Sequence, residues 1–277
     1  MGTLDFTRSG TGQTLLLLHG LGSARHVWDP VIPMLADHFD VLAVDLPGFG
    51  RSEPVPTNVE PTPVRVAAMV ARLLDELGVA MPHVAGNSLG GWVALEFAGL
   101  RPVRSLTLLS PAGLWCNETP RYQMISLRTT RWLARHASTT LSRLVATRVG
   151  RNMVLGQTHG RPGSLTPQQA RAAIGAMASG SGFDATLTAT ARRRYVAARP
   201  IDAPVTVAFG SRDLLLLRRS RYLGELPSHA RLAALPRCGH VPVYDDPCAV
   251  AALIISTARG AGTHDGTNGR QGEPAIN

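Results

Sequence analysis

Apolar positions along this chain come in short dense runs, set apart by turns rich in glycine and proline and by longer stretches with a helical period. Thr14 to Leu18 reads Thr-Leu-Leu-Leu-Leu. A continuous run of this kind suits a strand buried on both faces. Residues 27–39 read as a helix disturbed by Pro33, and Asp40 to Asp45 as the next strand, closed by Pro47-Gly48-Phe49-Gly50. Between Pro63 and Leu77 the apolar residues Val64, Val66, Ala67, Val70, Leu73, Leu74 and Leu77 follow a helical spacing behind an initial proline. That spacing predicts an amphipathic helix. Further strands are predicted at 81–87, 104–110 and 204–210, with a weaker one at 231–235. Helices are predicted at 91–100 and 246–257, the last with Pro247 in its first turn.

Strand and helix alternate, which predicts an α/β fold: a mostly parallel central sheet with helices on both faces. Ligands in such sheets bind beyond the carboxyl ends of the strands. Residues 114–200 break the rhythm. They hold no strand-like run and read as several short helices broken by Gly150, Gly156, Gly160, Gly163 and the Gly180-Ser181-Gly182 cluster. The expected organisation is a core of residues 1–113 and 201–259, a helical cap at 114–200, and a polar, disordered tail at 260–277. No internal repeat is visible.

Composition narrows the class. A length of 277 residues suits one domain with an insertion. No apolar stretch approaches the roughly 20 residues needed to span a bilayer, so no membrane association is expected. The first residues lack a basic region followed by an apolar one, so no secretory signal is expected. Cys116, Cys238 and Cys248 stand at unrelated spacings, which argues against a disulfide framework or a metal site and for a reducing, cytoplasmic setting. No cofactor is expected. The net charge of +9 comes from arginine alone, since the chain has no lysine. From Trp115 to Pro200 there are thirteen arginines against two acids, Glu118 and Asp184, a local excess of 13 − 2 = 11. GC-rich coding accounts for the choice of arginine but not for the clustering. Solvated helix faces are the plain explanation. The sharper one is that the cap draws in an anionic substrate or a phosphopantetheine-bearing carrier. No nucleic-acid-binding motif accompanies the charge, so nucleic acid is not expected as a partner.

The chemistry centres on Gly86-Asn87-Ser88-Leu89-Gly90, placed between a strand and an Ala- and Leu-rich helix. A Gly-x-Ser-x-Gly turn of this kind forces the serine into a strained conformation and requires very small residues two before and two after it. A serine hydroxyl also needs a general base and a carboxylate to orient that base. Asp213 is the first carboxylate after strand 204–210, and His240 follows strand 231–235. The 27 positions between them leave room for one helix and one strand. The order Ser88, Asp213, His240, with each residue just past its own strand, makes these three the candidate catalytic residues. For the oxyanion, the candidate donors are the backbone N–H of Leu89, after the nucleophile, and of Leu21, in the His19-Gly20-Leu21-Gly22 loop. One such donor is worth about 3 to 4 kcal/mol in a transition state. Asp45 is expected to accept hydrogen bonds from the turn after it. His19 is expected to support its loop.

These motifs, with Asp45-Leu-Pro-Gly-Phe-Gly-Arg-Ser52, Gly210-Ser-Arg-Asp213, Gly239-His-Val-Pro242 and Asp245-Asp-Pro247, resemble the α/β-hydrolase superfamily in its helical-cap branch. The resemblance spans residues 14–258 and implies the same triad and oxyanion hole. It departs at the N-terminus, where the family's opening hairpin is expected to shrink to one strand, Leu4 to Arg8. A serine nucleophile, rather than an aspartate, implies acyl transfer to water from an ester or thioester of a small-molecule substrate. The Ser110-Pro111-Ala112-Gly113-Leu114 segment also resembles hydrolases of carbon–carbon bonds in ring-opened dienones. Those relatives usually carry tryptophan where this chain has Val241, and a cap arginine for a substrate carboxylate. A non-hydrolytic binding protein of the same fold is the other class in view. Trp115 and Val241 are the expected pocket residues.

Overall fold

The structure is a computed structural model that describes residues 3–262. Its centre is a seven-stranded sheet, built from β1 (Phe6–Ser9), β2 (Thr14–Leu18), β3 (Asp40–Val44), β4 (His83–Asn87), β5 (Ser105–Leu109), β6 (Val205–Gly210) and β7 (Arg231–Leu235). The spatial order is β1-β3-β2-β4-β5-β6-β7. Only β1 is antiparallel to its neighbour, pairing Phe6 with Val44 through Ser9 with Val41. The first strand is therefore single, as expected, but shifted from Leu4–Arg8.

The tetraleucine run of β2 is continuous because both faces of the sheet are covered. Leu16 and Leu18 pack with α2 (Pro63–Glu76) and α3 (Leu89–Leu100) on one face. Leu15 and Leu17 pack with α1 (Ile32–Ala36) and α9 (Pro247–Gly262) on the other. Burying each such leucine contributes about 1.5 to 3 kcal/mol. β7 is the weak edge strand that its composition implies, with Arg231, Leu232 and Ala234 exposed.

Three expectations need correction. The helix expected over 27–39 is a 3-10 turn at Arg25–Trp28 followed by the five-residue α1. Pro30 and Pro33 lack the N–H donors a continuous helix would need, and Pro33 sits in the first turn of α1, where that loss is harmless. The helix expected between Asp213 and the next strand is only a 3-10 turn at Arg218–Ser220. There Tyr122 Oη accepts from the Leu217 N–H at 3.0 Å and donates to the Leu215 carbonyl at 2.6 Å. These bonds hold the segment open while Leu215 and Leu216 are buried. Residues 260–262 of the expected tail belong to α9, which runs to Gly262; the rest of it lies outside the described residues.

Between β5 and β6 the chain forms α4 (Arg121–His136), α5 (Ser138–Leu144), α6 (Arg148–Leu155), α7 (Pro167–Ser179) and α8 (Phe183–Ala191). This insert has a small core of its own, made by Val145, Leu155, Leu165, Ala170 and Ile174. α7 starts where Thr166 and Gln169 cap each other reciprocally. Arg131 fastens α4 to the end of α7 by donating to the carbonyls of Met177 and Gly180.

Candidate active site

β4 runs straight into α3 through Ser88, whose φ of 55° and ψ of −116° are the sharp bend the pentapeptide predicts. The flanking glycines are required by contact. A Cβ at Gly86 would sit 2.3 Å from the Gly90 carbonyl oxygen, and one at Gly90 would sit 2.1 Å from the Leu18 carbonyl oxygen. Such a left-handed serine costs of order 1–3 kcal/mol and persists because its surroundings over-determine it. The Ser88 N–H donates to the Leu109 carbonyl at 3.0 Å, and the Ser88 carbonyl accepts from Gly91, Trp92 and Ala112. The Leu89 N–H opens the first turn of α3, where helix geometry supplies no acceptor.

Asp213 and His240 meet. Nδ1 of His240 lies 3.0 Å from Oδ2 of Asp213, and both side chains are buried. The other carboxylate oxygen accepts from the Leu215 and Leu216 N–H groups at 3.0 and 2.7 Å. Burial alone would raise the Asp213 pKa. The charge and hydrogen bond of His240 and the Leu216 N–H outweigh it and leave the carboxyl below its ordinary range. Asn87 ties the histidine down, donating from Nδ2 to the carbonyls of His240 and Leu109, each at 2.9 Å. Nε2 of His240 is buried and unpartnered, and no hydrogen bond joins it to Ser88. Catalytic hydrogen bonds often close only around substrate.

Ser88, His240, Leu21, Leu89, Trp115 and Val241 all line one cavity of about 400 Å³. The loop carrying Leu21 passes close to Ser88: a Cβ at Gly20 would meet that of Ser88 at 3.2 Å. Trp115 stacks edge-on against Trp92, with ring centroids 5.5 Å apart, and donates from Nε1 to the Arg193 carbonyl at 2.8 Å. The outer walls come from the insert and are mainly apolar, with Leu127, Leu141, Leu155, Ile174, Met177 and Leu187 among them, while Gln123, Thr130, Gln157 and His159 also line them. None of the thirteen arginines between Trp115 and Pro200 lines the cavity. Arg131 and Arg151 are buried against backbone carbonyls, while Arg128, Arg135, Arg143, Arg148 and Arg171 face solvent.

His19 and Asp45 hold the rim. Nδ1 of His19 lies 2.8 Å from the Gly20 carbonyl, and its Nε2 accepts from the Leu46 N–H at 2.9 Å. Burial pushes the ring pKa down to about 4, so it is neutral near pH 7. Asp45 accepts from the Arg51 N–H at 3.0 Å, within the turn that follows it, and also pairs with Arg25. Among the described residues no group of histidine, cysteine and carboxylate side chains is placed to hold a metal.

Sequence reasoning assigned no individual role to Asn87, His159 or Asp245. Asn87 lies inside the serine motif, but its pairing with the His240 carbonyl spans 153 positions. His159 also lines the cavity. Asp245 accepts from Gly160, Arg161 and Gly239 N–H groups, each at 2.7 Å, and so clips the insert to the histidine loop.

A family model described as alpha/beta hydrolase fold matches residues 13–247. The chain belongs to this family. Within it, the chain is 40% identical over 114 residues to a pimeloyl-[acyl-carrier protein] methyl ester esterase of Aeromonas hydrophila subsp. hydrophila, a match covering 41% of this chain and 43% of the relative. It is also 40% identical over 111 residues to the dihydrolipoyllysine-residue acetyltransferase component of the acetoin cleaving system of Cupriavidus necator, covering 39% of this chain and 29% of the relative. These matches thus span less than half of the curated relatives. Over 94% of both chains the fold is similar to that of an esterase from Thermogutta terrifontis, at a TM-score of 0.72 and 22% identity. That likeness speaks to fold.

Proposed function

We propose that this alpha/beta hydrolase cleaves a carboxylic ester or thioester through an acyl-enzyme. The observation that carries the reading is the strained Ser88 on the wall of the same cavity as a buried, carboxylate-oriented His240. In this reading Ser88 Oγ attacks the acyl carbonyl. Nε2 of His240 takes the hydroxyl proton and later delivers it to the leaving group. Asp213 holds the proton of the imidazole on Nδ1, so that Nε2 is the free base, and it stabilises the imidazolium that forms. The Leu21 and Leu89 N–H groups receive the oxyanion. Water then repeats the sequence on the acyl-enzyme and releases the acid. The apolar walls suit an aliphatic acyl chain.

The partial likeness to a methyl ester esterase supports the ester bond over the carbon–carbon alternative. Two features of the site point the same way: no insert arginine is in place for a substrate carboxylate, and Val241 stands where those relatives carry tryptophan. We read the exposed insert arginines as attracting an anionic or carrier-bound substrate to the cavity mouth, by long-range field rather than contact. That field is screened by salt, so the ratio of kcat/KM for anionic against neutral esters should fall as ionic strength rises; a flat ratio ends this reading. The three cysteines are unpaired, in keeping with a cytoplasmic setting. No helix of the described residues is long and apolar enough to cross a membrane.

The deciding experiment is hydrolysis of p-nitrophenyl butyrate by the wild-type chain and by Ser88→Ala. Loss of the nucleophile should lower kcat by at least about 1,000-fold. Turnover that survives the substitution would remove Ser88 from the mechanism, and no turnover by either protein would favour a binding role.

A further inference from the structure

A second histidine shares the cavity with His240, and nothing in the acyl-transfer mechanism uses it. His159 follows α6, is 5% exposed, and its Nε2 has no hydrogen-bond partner. Its Nδ1 lies 2.9 Å from the Thr158 hydroxyl, whose own hydrogen is directed to the Leu155 carbonyl at 3.3 Å. The ring nitrogen is then the donor to Thr158, which leaves Nε2 with a lone pair and no hydrogen. Burial holds the ring pKa down at about 4, so the acceptor stays neutral in the range where the esterase reading operates.

The ring is also held in place. The Thr158 carbonyl accepts from the Val241 N–H at 2.9 Å. Asp245 grips the next two residues, Gly160 and Arg161, and the ring packs against Tyr244 with centroids 6.0 Å apart. His159 is therefore fastened to the same loop that carries His240. Buried acceptors in native proteins are almost always paired. Among the described residues no donor lies within hydrogen-bond distance of this one.

We propose that Nε2 of His159 receives a hydrogen bond from a hydroxyl on the acyl chain, so that the preferred substrates are esters of hydroxylated acids. The inference rests on the ester-hydrolase reading of this cavity and narrows it. A site built around a fixed acceptor rewards the ligand that supplies the donor and disfavours the otherwise identical ligand that lacks it.

The test is binding in the Ser88→Ala background, where turnover does not intervene. Methyl butyrate, hexanoate and octanoate are compared by calorimetry with their 3-hydroxy and terminally hydroxylated analogues. At least one hydroxylated ester should bind tenfold or more tightly than its parent. His159→Phe should bring that ratio of Kd values to within twofold of one, and His159→Gln, whose amide oxygen accepts, should restore part of it. His159→Leu removes the acceptor with less bulk and serves if the phenylalanine variant does not fold. The proposal is overturned if no hydroxylated ester outbinds its parent, or if the preference survives loss of the acceptor. Hydrolysis of the parent esters by the wild-type chain is measured separately. Its absence would count against the nucleophile assignment, while the binding ratio alone decides the role of His159.

Discussion

Replacing Asp245 by alanine should damage stability and turnover together, because one carboxylate joins two loops that the chain keeps far apart. Its oxygens accept three backbone N–H groups at 2.7 Å, two from the insert (Gly160 and Arg161) and one from Gly239, the neighbour of His240. A hydrogen bond to a charged acceptor is worth about 1.5 to 3 kcal/mol net. The Gly239 bond is fully buried, so its donor would be stranded. The other two are only partly buried, and water can satisfy their donors at a cost of about 0.5 kcal/mol each. The sum for Asp245→Ala is about 2.5 to 4 kcal/mol. Asp245→Asn keeps one oxygen but turns an NH2 toward a donor, and should cost about 1.5 to 3 kcal/mol. With Gly239 released, His240 loses part of its mooring, and a misplacement of about 1 Å costs on the order of 100-fold in rate. Urea unfolding at pH 7 reads the first effect, and kcat against KM for p-nitrophenyl butyrate reads the second, with the loss expected mainly in kcat. Stability within about 0.5 kcal/mol of wild type, the size of an ordinary surface substitution, together with an unchanged kcat, would refute the argument.

Gly90→Ala and Gly86→Ala should each fail to fold or lose more than about 3 kcal/mol, because their new methyl groups would overlap backbone oxygens at 2.1 and 2.3 Å. Gly99→Ala, in helix α3 with nothing within 4 Å of its Cβ, should instead raise the melting temperature through a gain of about 0.5 to 1 kcal/mol. Stability should also fall on acidification. Burial depresses His19, His83 and His159 from 6.5 to about 4, so between these values the unfolded chain binds more protons than the native one. Folding stability is then complete above about pH 6.5 and is lost as pH falls toward 4, at up to about 1.4 kcal/mol per histidine per pH unit. Equal urea midpoints at pH 7 and pH 5 would contradict this.

Much of the site was legible because its signals are local. A Gly-x-Ser-x-Gly turn between an apolar strand and an apolar helix constrains the backbone within five residues. Asp213 and His240 could be picked out because a parallel sheet puts the ends of its strands along one rim. Errors arose where local pattern was ambiguous or overruled. Residues 27–39 have helical hydrophobicity, but two prolines remove donors. The span after Asp213 leaves room for a helix, yet Tyr122, from 95 positions away, holds the Leu217 N–H. The arginine cluster was visible as composition, but composition does not record direction. Most of the guanidinium groups turn to solvent or to backbone carbonyls, Arg193 and Arg194 pair with Glu60 and Glu225, and none enters the cavity.

Alternation of apolar runs along the chain determined the α/β sheet, the serine bend and the order of the three candidate catalytic residues, because each follows from contacts within one element or from the parallel winding of successive units. Only the tertiary structure decided how the insert closes the cavity, which face its arginines take, and how Asn87, His159 and Asp245 come to bear on the loop of His240. Those features depend on groups brought together across 84 to 153 positions, and hydrophobic periodicity carries no record of which distant donor meets which acceptor.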